Sequence, residues 1–362
     1  MVFARGLREM FETCVECGVP TFIGSQLKWL NHGDIVNAAL PSERLAFMEC
    51  EFFDPMVWGV EKLIGYPVER IVTSAIQMTV RVYIESLLPP GVRDLVKNGT
   101  VKLRDVDEAL IHIALMNGYG KYEFLDMRFE QDERDYYKVL MRKPFSVFIC
   151  AATHGAAMEA ILGYDHDISY EMVGADTYEV VAFPSPHPPE LKERIIFRTY
   201  DHVDGELEFE RCETCGVPWW LSSCRWSEEG VITNTTNGRR MALLGPNQIA
   251  SMFDELEKEL GEDIPRVVVE SQKNFTLRGF LPENILLNEQ RFREELALRG
   301  LGVLERLRVD DRGLEMRLEN SCLPLVVVGT VQGMYEKLYG RSTGVSWELA
   351  DNGDLEVTVE AA

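Results

Sequence analysis

In the second half of the chain, Ile249, Met252, Phe253, Leu256 and Leu260 return at intervals of three and four. This spacing predicts an amphipathic helix with one face in a core. Met56, Val60, Leu63 and Ile64 repeat the pattern earlier, with Asp54 placed to cap and Pro55 suited to the first helical position. The β-branched runs RIVTSA and RVVVES come next and read as strands, with further helix after each. Alternation of period two marks GKYEFLDMRFEQ and YYKVLMRKPFSVFI in the first half, and VLERLRVDD and LEMRLEN in the second. GAAMEAILG and GMYEKLYG read as short helices closed by glycine. YEVVAF and LEVTVE read as final strands. Upstream, LKWLNHGDIVNAALPSERLAFM and SCRWSEEGVITNTTNGRRMALL each predict a short β-hairpin, with Asn237-Gly238 as a type I′ turn signal. The sum is an α+β chain with a largely antiparallel sheet. It lacks the glycine-rich strand-to-helix fingerprint of a dinucleotide fold.

The order of these elements occurs twice, and the residues repeat with it. CVECGVPTF begins at Cys14 and CETCGVPWW at Cys212, a separation of 198. Trp29 and Gly33 pair with Trp226 and Gly230 at nearly the same separation, and Arg70-Ile71-Val72 pairs with Arg266-Val267-Val268. The second copy is then shorter, and Glu159 and Gly163 pair with Glu336 and Gly340. We therefore expect a tandem duplication: two α+β copies, residues 1–190 and 205–362, related by a pseudo-twofold axis. The proline-rich stretch 184–194, PSPHPPELKER, is the expected semi-rigid linker between them.

Composition narrows the class. The 362 residues are 46% hydrophobic and 27% charged, ordinary for a globular protein with sizeable cores. A net charge of −22 disfavours nucleic acid and anionic membrane surfaces as partners. No apolar run is long enough to span a bilayer, and early charges argue against a secretory signal, so the expected location is the cytoplasm.

Eight cysteines are present, at 14, 17, 50, 150, 212, 215, 224 and 322. Thiolates two residues apart can reach one metal, and the following glycine permits the tight turn this needs. Cys14, Cys17, Cys212 and Cys215 together would make one four-thiolate zinc site across the pseudo-symmetry axis. Alternatively each turn recruits local help, Cys50 or His32 in the first copy and Cys224 in the second. A redox pair is less favoured, because a proline and a hairpin follow each turn rather than a helix.

The ends of both copies resemble the 4-vinyl-reductase-like domain family. The residues carrying this are RKPFSVFICAATHGAAMEAILGYDHDISYEM and LENSCLPLVVVGTVQGMYEKLYGRSTGVSWEL, with Glu159 or Glu336 in a helix, a closing glycine, and Glu171 or Glu348 in the next strand. That family is related in fold to haem nitric-oxide-binding domains and to vesicle-tethering subunits. The family's terminal cysteines are absent from MVGADTYEV and LADNGDLEV, so no metal role attaches there. The resemblance implies a module that binds a hydrocarbon, another small apolar ligand or a tetrapyrrole such as haem. His154, Cys150 and His112 are the candidate ligand contacts, and the longer middle of the first copy is expected to hold the larger pocket, lined by parts of 111–116 and 148–158. His187 and His202 read as solvated. No motif marks an acid/base pair, a nucleophile triad or a phosphate loop. The sequence thus favours a zinc-stapled, non-catalytic ligand-binding or sensor protein. Its rivals are a metal- or thiol-dependent enzyme acting on such a ligand, and an interaction scaffold without one.

Overall fold

The computed structural model describes residues 7–189, 203–278 and 283–361. His202 and the linker beyond residue 189 lie outside the described residues. Every strand pairing within them is antiparallel, and helices and sheets are mixed along the chain, an α+β fold.

After a short helix α1 (Leu7–Met10), each CxxCG turn is followed by one helical turn or two, α2 (Thr21–Gln26) and a 3₁₀ segment (Trp219–Ser223). Three short strands then run in sequence. In the first half they are β1 (Leu27–Trp29), β2 (Ile35–Asn37) and β3 (Arg44–Glu49); in the second, β8 (Cys224–Trp226), β9 (Ile232–Asn234) and β10 (Arg240–Leu244). The predicted hairpins are therefore three-stranded. They do not stand apart, because β3 pairs with β10, Phe47 opposite Leu243, and one six-stranded sheet of order β1-β2-β3-β10-β9-β8 results. The Asn237-Gly238 turn is where the sequence placed it, but only Gly238 takes a positive φ, of 71°. Asn237 is not in that region, so the loop is not type I′.

The helices α3 (Phe53–Ile64) and α8 (Pro246–Leu260) match the apolar spacing, with Met56, Val60, Ile249, Met252, Phe253 and Leu256 buried. Asp54 is not the cap of α3. Its carboxylate accepts from the Val147 backbone N–H and so serves a different helix. The strands expected at RIVTSA and RVVVES are helical instead, within α4 (Glu69–Leu87) and α9 (Ile264–Thr276). Val68, Val72, Ile76 and Val80 all point into the core at helical spacing, and that burial overrides the local β preference. The first half adds α5 (Val92–Lys97) and α6 (Leu103–Met116). The second has α10 (Glu289–Leu298) at the place of α6.

Each half closes with a four-stranded sheet and one crossing helix. β4 (Lys121–Arg128), β5 (Tyr136–Arg142), α7 (Val147–Leu162), β6 (His166–Gly174) and β7 (Thr177–Pro184) form the order β4-β5-β7-β6. β11 (Val303–Val309), β12 (Gly313–Glu319), α11 (Pro324–Tyr339), β13 (Thr343–Leu349) and β14 (Leu355–Ala361) form β11-β12-β14-β13. Both first strands carry a bulge, after Phe124 and after Leu304. Gly163 and Gly340 end α7 and α11 in the left-handed conformation. The shared glutamates act alike: Glu159 accepts from the His166 N–H and Glu336 from the Thr343 N–H, tying each helix to the first residue of its next strand.

Each half's three-stranded unit docks on the other half's sheet-and-helix unit. Trp29 donates its indole N–H to the Leu298 carbonyl, and Trp226 donates to that of Met116. Arg44 donates to the Gly300, Asn320 and Ser321 carbonyls, and Arg240 to those of Gly118, Lys143 and Pro144. Between them α3 packs on α9 and α4 on α8. One apolar cluster, from Ala46 to Val359, runs through both halves.

Candidate functional site

The two CxxCG turns have the same backbone. The N–H of Cys14 donates to the Val19 carbonyl and that of Gly18 to Cys14; Cys212 with Val217 and Gly216 with Cys212 repeat this. Gly18 and Gly216 sit at φ 73° and 74°, which a side chain would strain. Each turn brings its two sulfurs to one side, and the crossing of the halves sets the turns face to face. Cys14 Sγ lies 3.7 Å from Cys212 Sγ, and Cys17 Sγ lies 3.5 Å from Cys215 Sγ. All four sulfurs are within 4.8 Å of one another, a group that could hold a metal ion. A tetrahedral zinc with ~2.3 Å bonds needs sulfurs about 3.8 Å apart, so the thiols stand near that geometry. The N–H groups of Cys17 and then Glu16 bring the Cys14 thiol down to about 7. Glu16 Oε2 accepts from the N–H and hydroxyl of Thr214 and faces Cys212 Sγ at 3.2 Å, a second tie between the turns.

The helper ligands of the local-site alternative are elsewhere. Cys50 is buried with its thiol on the Arg240 carbonyl, His32 lies 3.6 Å from Asp34, and Cys224 is buried with its thiol pushed up to about 12 by burial.

A cavity of about 120 Å³ lies in the first half, between α4, α6, α7 and the start of α8. Its wall is mostly apolar, with Val80, Tyr83, Leu87, Leu110, Ile111, Ala114, Tyr119, Ala157 and Leu243. The residues of 111–116 and 148–158 that line it are Ile111, Ile113, Ala114, Thr153, His154 and Ala157. The corresponding place in the second half holds a cavity of about 50 Å³, lined by Phe292, Leu296, Leu301, Val327 and Val331. There Arg299 takes up space and pairs with Glu49 at 2.6 Å.

Of the three candidate contacts, His154 lines the larger cavity; Cys150 and His112 do not. Cys150 lies beneath the wall with its thiol on the Tyr119 carbonyl, and burial pushes it up to about 11. His112 is only half-buried, while its neighbours Ile111 and Ile113 face the cavity. His154 is 3% exposed, flanked by the Tyr122 and Tyr137 rings and hydrogen-bonded to the Tyr137 backbone. Burial pushes it down to about 4, so it is neutral at pH 7, and its Nε2 has no partner.

Sequence reasoning missed Asp107, which also lines the cavity at 1% exposure with Oδ2 unpartnered. Burial raises its carboxyl to about 7, and Tyr137 beside it lowers it. The signal was present: Leu103, Val106, Asp107 and Leu110 share the buried face of α6, and a carboxylate on such a face is unusual. His187, expected in solvent, is nearly buried, and its Nε2 lies 2.5 Å from Glu159 Oε1. Burial opposes its charge, but Glu159, Asp165 and Asp167 outweigh that and raise it.

No family model matches the sequence, and no curated protein matches it. Among solved structures, a "Cs H-NOX" mutant aligns over 33% of this chain and 74% of its own at 14% identity, with a TM-score of 0.24. A T. Tengcongensis H-NOX mutant aligns over the same shares at 14% identity and a TM-score of 0.22. Likenesses this slight carry no argument about this chain, and the residues and distances above stand by themselves.

Proposed function

We propose that this chain is a tandem-duplicated, zinc-stapled protein that binds a small, largely apolar molecule in the first half without turning it over. The observation that carries the ligand reading is the cavity between α4, α6 and α7, apolar in its walls yet lined by two buried polar atoms, His154 Nε2 and Asp107 Oδ2, without a partner among the described residues, the Tyr137 hydroxyl lying beside the Asp107 carboxyl. Buried polar groups are ordinarily paired, and an apolar cavity with a few convergent polar groups is the usual form of a ligand site. The repeated element order supports duplication, with the copies at 1–190 and 205–362, and the all-thiolate donor set of Cys14, Cys17, Cys212 and Cys215 suits zinc.

Two things favour binding over catalysis. The Cys150 thiol, pushed up to about 11, and the His154 imidazole, pushed down to about 4, are both far from the neutral range in which a nucleophile or general base works, and the Asp107 carboxyl, raised to about 7, has no second acid/base group in that range beside it. The cavity, at about 120 Å³, is smaller than the ~300 Å³ at which ordinary small-molecule pockets begin and close to the ~150 Å³ that accepts a single ring, so its ligand is proposed to be of one-ring size rather than a haem. Native mass spectrometry of protein purified without chelator or added cofactor tests the whole reading. One zinc per chain and a retained small molecule of one-ring size are expected. A ligand-free protein that no small apolar compound stabilises would remove the binding function.

A further inference from the structure

The polar atoms that line the cavity divide unequally into donors and acceptors. Thr79 and Thr153 turn their hydroxyls back to the carbonyls of Ala75 and Ile149 in their own helices. Tyr122 donates to the Cys150 carbonyl, and the Gln248 amide donates to the Tyr119 hydroxyl. Arg44 is held by Asp34 at 2.8 Å. The hydroxyls and the amide are spent inside the protein, while Arg44 Nε is left without a partner among the described residues. His154 Nε2 and Asp107 Oδ2 remain open, both more than nine-tenths buried, and the Glu43 carboxylate stands half-buried in the same lining.

Open acceptors call for a ligand that donates. An alcohol brings one hydrogen, which can satisfy one of them; an ammonium brings three and a positive charge. The charge matters because Asp107 is a carboxyl group kept from water, and a cation in contact favours its ionised form. The surrounding protein, at a net −22, also attracts cations. We propose that the ligand of this cavity is a small apolar amine, bound as its ammonium, with its nitrogen donating to Asp107 and His154 and its hydrocarbon part against Leu87, Leu110 and Ala114. This rests on the reading of the cavity as a ligand site.

Cyclohexylamine, cyclohexanol and cyclohexane share one ring and differ in the donor. Titrated into the full-length protein at pH 7, the amine is expected to bind at least tenfold more tightly than the alcohol, and the alkane most weakly. In Asp107→Asn, amine affinity should fall at least tenfold while alcohol affinity stays within about threefold. A measurement on the unmodified protein guards against a variant that fails to fold. The ionisable groups about Asp107 are Tyr137, Tyr122 and Glu108, with His154, Glu43, Arg44, Tyr83 and Tyr119 in the same cavity. At pH 6, calorimetry in buffers of differing ionisation enthalpy should show the amine releasing up to one proton per chain as Asp107 ionises, and the alcohol releasing none. If the alcohol binds as tightly as the amine, or the amine releases no proton, the amine inference is overturned and the cavity remains a ligand site. If none of the three compounds binds, the ligand reading itself falls, and this inference with it.

Discussion

Cys14 and Cys212 are 198 residues apart in the chain, and their sulfurs lie 3.7 Å apart in the fold. Local backbone geometry cannot produce that approach. It follows from the exchange by which each half's three-stranded unit sits on the other half, bringing the two CxxCG turns together at the centre.

Metal is the first expectation. Cys212→Ser should abolish zinc retention and lower stability by about 3 kcal/mol or more, a fall in Tm of roughly 4 °C, because structural zinc binding is part of folding. Elemental analysis beside thermal unfolding checks this. Two zinc ions per chain would replace the shared site by two local ones. No metal, with all four thiols reduced, would remove it.

Asp107 gives a pH dependence of definite sign. Its carboxyl is raised to about 7 in the folded protein, against ~4 when unfolded. Between these values the folded state keeps a proton that the unfolded state has lost, so stability from this group falls as pH rises from about 4 to about 7. The full span corresponds to ~4 kcal/mol as an upper order of magnitude. Urea unfolding of Asp107→Asn should therefore lack this decline and show a protein more stable than the parent at pH 8. A parent whose stability is flat from pH 4 to 7 would contradict it.

Glu49 and Arg299 form a nearly fully buried, two-pronged ion pair across the halves, with Arg299 also bonded to Glu295 and over the Trp220 ring. Removing one partner strands the other charge. Glu49→Gln should cost about 3 kcal/mol, measured by chemical unfolding. A cost under 1 kcal/mol would mean that Arg299 finds water or Glu295 sufficient.

The exchange also predicts how the chain can be cut. Fragments 1–189 and 203–362, expressed together, should assemble into a one-to-one complex holding one zinc, whereas either alone should be aggregation-prone, with a large apolar face uncovered. Size-exclusion chromatography with light scattering checks this. Two fragments that fold separately as monomers would show that the shared cluster is not needed.

Much of this was legible in the sequence where the signal is local. The helix at Ile249–Leu260, the glycine stops at Gly163 and Gly340, and the two CxxC pairs all follow from spacing. RIVTSA misled because valine and isoleucine serve a helix face as well as a strand, and Val72 and Ile76 are fixed by what packs on them. His187 misled for a related reason: a proline-rich stretch reads as solvated, yet Glu159, which holds it, is brought near only by the folding of α7. Asp107 was legible in principle, as a carboxylate on an apolar helix face. The pairing of β3 with β10 was not, since nothing in either strand specifies a partner so far along the chain.

The exchanged arrangement sets a schedule for synthesis. Trp29 finds its acceptor in Leu298, 269 residues later. At about 5–20 residues per second, the emerging first hairpin spends roughly 13 to 54 seconds on the ribosome before its docking surface exists. Through that interval its apolar face and the Cys14–Cys17 pair are uncovered, which exposes the nascent chain to aggregation and leaves its first thiols without the partners that will face them.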